Sequence, residues 1–215
     1  MGYSAAALTN YMTLLGWSPP EGMGERFNLA EAAAVFDFDR VNRAGARFDW
    51  DKLDWLNAQV LHELEPEALR QLLLPLWHAE GWAKEGATAD PAWQRDLCAL
   101  LGPSLTRLND GVEQAAPFFR RPEADQAAQE QWAAPGAAAA VAALREGLPA
   151  APLEAEAARA LLDSVATTAG VKKGVVMKSA RAALLGSLQG PDLLTTLVLL
   201  HRIGEAAPRL EAPAA

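Results

Sequence analysis

Residues 40–57, Arg-Val-Asn-Arg-Ala-Gly-Ala-Arg-Phe-Asp-Trp-Asp-Lys-Leu-Asp-Trp-Leu-Asn, decide how this chain is read. Arg40, Arg43 and Arg47 are spaced by Asn42 and Gly45, and Asp49 then stands where a helix N-cap belongs. Beyond it, Leu53, Leu56 and Val60 or Leu61 form the apolar stripe of a helix, with Lys52, Trp55 and Asn57 alongside. A basic loop therefore feeds directly into a helix that carries a cation and an aromatic. The rest of the chain is acidic: 19 Lys and Arg against 27 Asp and Glu leave a net charge of −8. Positive charge gathered in one segment stands out against that background.

With 215 residues the chain is long enough for one or two domains with a buried core. Hydrophobic residues at 51% and charged residues at 21% exclude a disordered composition. The acidic balance excludes a strongly basic nucleic-acid wrapper and argues against a DNA partner, yet a local patch can still supply phosphate contacts. One cysteine, Cys98, cannot form an internal disulfide, which suits a reducing compartment. The apolar run Leu193 to Leu200 is too short to span a bilayer, and Met-Gly-Tyr-Ser does not open a signal peptide. A cytoplasmic protein without a membrane partner is expected.

Helical periodicity extends in both directions from the opening motif. Leu8, Tyr11, Met12 and Leu15 mark an N-terminal helix that Gly16 would end, and Asn28 is placed to cap a helix over Leu29 to Val35. Pro66 and Pro91 each suit the first turn of a helix. Gly102-Pro103 breaks the second of these, and a further helix is expected from about Ser104, with Leu105, Leu108 and Val112 on one side. Glu123 to Trp132 reads as helix up to a boundary at Pro135-Gly136. An alanine-rich helix runs from there to about Leu148. A longer one follows, with Leu153, Ala157, Leu161 and Val165 on one face and Gly170 at its end. Helices over Ser179 to Leu185 and Leu193 to Ile203 close the chain; Gly174 to Met177 reads as extended and the tail from Glu205 as frayed. The fold class is all-α, with units at 1–64, 65–133 and 134–215.

No catalytic constellation stands out. The chain has no glycine-rich phosphate loop, no Gly-x-Ser-x-Gly and no His-x-x-x-His pair. His62, His78 and His201 are isolated in sequence, so no metal site is expected, and Cys98 among leucine and alanine reads as a buried small hydrophobe.

Three segments in register resemble the C-terminal half of bacterial glutamyl-tRNA synthetase. They are Asn10-Tyr11 with Leu14-Leu15-Gly16-Trp17-Ser18, the Arg40 to Asn57 motif, and Gly170-Val171-Lys172-Lys173-Gly174 leading to Arg181-Ala182-Ala183-Leu184, Gly186, Gly190-Pro191 and Leu193. The resemblance covers essentially the whole chain, with weak cues from about 66 to 169. It implies a stem-contact helical domain followed by a helical anticodon-binding cage in two parts. Glutamate tRNA is the implied partner of what would be a monomer, and glutamine tRNA is admitted as well. The family's two ATP-handling signatures, His-x-Gly-His and a Lys-Met-Ser-Lys-like loop, are absent. ATP and glutamate would therefore bind a catalytic domain outside this chain; no cofactor and no catalytic residue is assigned within it. A helical protein-interaction module, or a regulatory relic of a synthetase, is the alternative.

The tRNA-binding residues follow from position and chemistry together. Arg40, Arg43 and Arg47 offer forked donors for phosphate, or pair with Asp37, Asp39 and Asp49. Lys52 and Trp55, three residues apart, share a helix face and by resemblance meet the anticodon stem, although a single tryptophan is more commonly core. Arg181 matches a reader of the first anticodon base, with Gly190, Pro191 and Leu193 shaping the pocket for the unstacked anticodon. Lys172, with Lys173 and Lys178, adds backbone attraction or is plain surface charge. Ser104 stands where discriminating members carry an arginine that reads the third base. A hydroxyl lacks the guanidinium's charge and fork, so the resemblance implies a non-discriminating parent enzyme.

Overall fold

A computed structural model describes residues 1–42 and 45–211. Among the described residues the chain is all-α, with one isolated antiparallel bridge between Trp17 and Val41. The helices are α1 (Ala5–Gly16), α2 (Leu29–Ala34), α3 (Trp50–His62), α4 (Pro66–Ala79), α5 (Pro91–Leu101), α6 (Asp110–Phe119), α7 (Gln126–Trp132), α8 (Ala137–Glu146), α9 (Ala155–Thr168), α10 (Lys173–Leu185), α11 (Leu193–Arg202) and α12 (Ala206–Arg209). Short 3-10 turns lie at Phe38–Arg40, Gly86–Ala89 and Gly102–Ser104.

Polar side chains set where these helices begin. Asn28 and Glu31 form a reciprocal capping box at α2, and Asp49, Asp90, Asp125 and Asp192 each accept a first-turn N–H at α3, α5, α7 and α11. Pro66 and Pro91 occupy first-turn positions of α4 and α5, as expected, where a missing N–H costs nothing.

Helix α1 packs on α3, α4 on α5, and α10 on α7, α8 and α9. Two small apolar clusters hold the first 60 residues: Tyr11 with Leu53 and Leu56, and Trp17 with Phe27 and Ala32. A single large cluster then runs from Leu61 to Leu210. Two buried indoles knit it. Trp77 Nε1 donates to the Gly111 carbonyl at 3.2 Å, and Trp93 Nε1 donates to the Leu199 carbonyl at 2.9 Å, tying α5 to α11. Each indole thus buries its ring without orphaning its donor.

Several expectations are corrected. No helix starts at Ser104, because the Asp110 carboxylate accepts the backbone N–H groups of Thr106 and Arg107 at 3.0 and 2.8 Å and folds that stretch into turns. Residues 123–125 stay outside α7: Asp125 caps it, and its own N–H donates to the Gly186 carbonyl at 2.8 Å. In α9 the buried face is Ala158, Leu162 and Val165, while Ala157 is exposed and Leu161 half-buried. Gly174 to Met177 is helical, the first turn of α10, since Val176 buries against the main core. The tail from Glu205 is packed as far as Leu210. Arg209, 2% exposed, donates from Nη1 to the carbonyls of Pro117 and Leu184 and so joins the ends of α6 and α10.

A polar clamp fixes α3 to the 105–110 turns. Fully buried Asn57 accepts the Ser4 N–H at 2.8 Å and donates to the Thr106 carbonyl at 2.6 Å. Asp54 takes a bidentate grip from Arg107, at 2.7 Å from Nε and 2.5 Å from Nη2, and also accepts from the Tyr3 hydroxyl at 2.7 Å. His62 Nε2 lies 2.9 Å from the Leu105 carbonyl.

Candidate nucleic-acid interface

The basic motif is pinned to the end of α1. The Asn42 N–H donates to the Gly16 carbonyl at 2.8 Å and the Ser18 N–H to the Arg40 carbonyl at 3.1 Å, beside the Trp17–Val41 bridge. Arg43 lies outside the described residues. Arg40 and Arg47 are exposed, and neither forms an ion pair among the described residues. The neighbouring aspartates are occupied instead as caps: Asp37 accepts the Asp39 N–H at 2.9 Å and Asp49 the Lys52 N–H at 3.1 Å. Of the two readings of these arginines, internal pairing is not what Arg40 and Arg47 do.

On α3, Trp55 stays 48% exposed, so it is not a core tryptophan. Lys52 is half-buried, with Nζ 2.6 Å from Glu25 Oε1, and its charge is partly spent inside the chain. Phe48 and Trp50 extend the exposed aromatic surface, their ring centroids 4.5 Å apart.

At the other end of the chain, four of the residues singled out from sequence meet. Arg181 on α10 donates from Nη1 to the carbonyls of Gly190 and Pro191 at 2.9 and 2.7 Å. Gly186 ends α10 with φ +66°, and a Cβ there would sit 2.5 Å from the Glu123 carbonyl oxygen, so only glycine fits. Gly190 adopts φ +137°, and Leu193 is buried at the start of α11. Binding two carbonyls through one nitrogen leaves Nε and Nη2 of Arg181 with no acceptor among the described residues. The side chain is thus both a brace for the turn and an open donor beside it.

Lys172 and Lys178 are exposed and unpaired among the described residues, whereas Lys173 lies 2.5 Å from Asp163 Oδ1. Ser104 is exposed at the end of its 3-10 turn. Its hydroxyl lies 2.8 Å from the Leu101 carbonyl and 2.7 Å from the Gln114 side-chain amide. No hydrogen bond or ion pair among the described residues joins the 40–57 segment to the Arg181 turn.

Sequence reasoning missed the Asp54–Arg107–Tyr3 clamp. Its partners are 53 and 51 residues from Asp54, and nothing local signals them. Hydrogen bonds from Arg107, opposed by partial burial, hold the Asp54 carboxyl below its usual range. It also missed Arg209, read as part of a frayed tail. Burial pushes the Cys98 thiol up to about 12, in keeping with an inert, apolar cysteine.

The family model for the anticodon binding domain matches residues 59–211, most of the chain and all of the Arg181 turn. The chain belongs to the anticodon binding domain family. It is 58% identical over 212 residues to the glutamate–tRNA ligase of Synechococcus sp. (strain RCC307), covering 99% of this chain and 44% of that protein. The ligase of Parasynechococcus marenigrum (strain WH8102) is 60% identical over 214 residues, with 98% and 44% covered. Among solved structures, the glutamate tRNA ligase from Elizabethkingia meningosepticum superposes with a TM-score of 0.86 at 26% identity, over 97% of this chain and 40% of that one. The chain thus spans less than half the length of the relatives it matches. The resemblance drawn from the three segments, to the C-terminal half of glutamyl-tRNA synthetase, is borne out, as is the all-α class.

Proposed function

We propose that this chain binds glutamate tRNA, receiving the anticodon loop at the Arg181–Gly190–Pro191 turn and the anticodon stem along the Arg40, Arg47 and Trp55 surface. The observation that carries this reading is the turn itself. A pair of backbone carbonyls is braced by an arginine that keeps unengaged N–H donors, inside a family defined by anticodon binding. Splayed bases are read by such donors and by apolar contacts, and unpaired surface cations supply the phosphate attraction. Arg43 and Lys172 belong to the same phosphate set by position, and Lys52 contributes in part.

Ser104 adds a finer reading. Its hydroxyl is already engaged with Leu101 and Gln114 and offers neither charge nor fork to a third anticodon base, which favours acceptance of glutamine tRNA alongside glutamate tRNA. The chain acts as a cytoplasmic monomer. It binds without aminoacylating, since it contains neither ATP-handling signature.

Competition binding with glutamate and glutamine tRNAs tests both levels. Affinities within a few-fold of each other support the shared reading. A hundredfold preference, about 2.7 kcal/mol, removes the non-discriminating part, and loss of all binding removes the whole.

A further inference from the structure

Three exposed cations outside the segments singled out from sequence, Lys84, Arg120 and Arg121, have no ion-pair partner among the described residues. One of them, Arg120, lies against an aromatic. Trp82 stacks on Phe119 with ring centroids 5.2 Å apart and planes 16° from parallel, and the Arg120 guanidinium carbon lies 5.7 Å from the indole centroid. The indole is held there at a conformational cost. Ala83, the next residue, adopts φ +58°, a left-handed backbone that is unfavourable for alanine, and the Trp82 N–H donates to the Trp77 carbonyl at 2.9 Å.

This cluster adjoins the Arg181 turn. Arg120 and Arg121 open the segment whose Glu123 carbonyl abuts Gly186 and whose Asp125 N–H donates to the Gly186 carbonyl. Glu123 is three residues along from Arg120, at most about 10 Å of extended chain. The segment is therefore a second wall beside the turn, anchored from below by Arg209 on the Pro117 and Leu184 carbonyls.

We propose that Trp82, Arg120 and Arg121 form a second RNA platform, which takes a single-stranded nucleotide flanking those held at the Arg181 turn. The nucleobase replaces the guanidinium on the indole face, and Arg120 and Arg121 turn to the phosphates. The exchange runs in this direction because a base stacks on an indole more strongly than an exposed guanidinium holds it. Sequence preference at this nucleotide is weak, since every base has a π-face. The assignment rests on the RNA-binding reading above.

The test is binding of the 215-residue chain to the anticodon stem-loop of glutamate tRNA across a salt series. Arg120→Ala with Arg121→Ala flattens the log–log salt slope by about 1.4, the single-strand value for two phosphates. Trp82→Ala lowers affinity roughly 5- to 100-fold with an unchanged slope, and Trp82→Phe recovers most of it. Both arginines are exposed, and circular dichroism with a melting curve of the double variant separates lost RNA contacts from lost folding. If the double arginine variant binds with unaltered affinity and slope while Arg181→Ala weakens binding, the platform is refuted and the turn stands. If the unsubstituted chain does not bind, both fall.

Discussion

Replacing Asn57 with alanine measures what holds the first helical unit to the rest. The side chain is fully buried and links the Ser4 N–H to the Thr106 carbonyl, at 2.8 and 2.6 Å. Alanine leaves one partly buried backbone donor and one partly buried backbone acceptor without their side-chain partner. Each orphaned group costs about 1–3 kcal/mol, so a loss of about 2–6 kcal/mol is expected, a large part of the 5–15 kcal/mol typical of a folded domain. Urea unfolding followed by far-ultraviolet circular dichroism reads the difference directly. Asn57→Asp separates the halves. It keeps the acceptor for Ser4 but sets a carboxylate oxygen against the Thr106 carbonyl, and it should cost at least as much at pH 7. A loss below about 0.5 kcal/mol for Asn57→Ala, at an unchanged m-value, would refute the reasoning that these two bonds join α3 to the 105–110 turns.

Other expectations concern the turn and the ion pairs. Arg181→Ala should weaken anticodon stem-loop binding roughly 10- to 100-fold, the worth of a charged hydrogen bond, with helicity retained; unaltered affinity in a mobility-shift titration contradicts the role given to that side chain. Gly186→Ala should lower the melting temperature in calorimetry, because φ is +66° and the added methyl meets the Glu123 backbone. Stability should fall on acidification. Arg107 lowers the pKa of Asp54, and Arg70 lowers that of Glu67 to about 2 from 4.5; both groups stabilise the fold while ionised and lose that contribution as pH drops through the folded values. The acid limb of the stability curve should therefore lie below about pH 4.5, and Asp54→Asn should flatten it.

The helices were legible in sequence where a cap or a proline marked the start. Asn28, Asp49, Pro66 and Pro91 each signal a boundary through local chemistry, and each boundary is where it was expected. Errors arose where a tertiary partner overrides the local pattern. Leu105 and Leu108 have helical spacing with Val112, yet Asp110 captures two N–H groups and Asn57 a carbonyl, and the helix begins only at Asp110. Val175 and Val176 favour a strand taken alone, but α10 forms because Val176 gains a place in the core. At the site, the Arg181 turn was visible because its members lie within 12 residues of one another. The exposure of Trp55 was not, since sequence sets only the helix face and not what covers it. Arg120 and Trp82 were invisible as a pair, being brought together by the stacking of Trp82 on Phe119.

The central claim is that this acidic chain binds tRNA through a few cations without ion-pair partners among the described residues, on the Arg40 to Arg47 segment and near the Arg181 turn. The most direct test is the equilibrium affinity for glutamate tRNA as a function of salt. Arg40, Arg47, Lys172 and Lys178 on about four phosphates predict a log–log slope of about −3 to −4. A chain that fails to bind at low salt, or whose binding is indifferent to salt, would contradict the account.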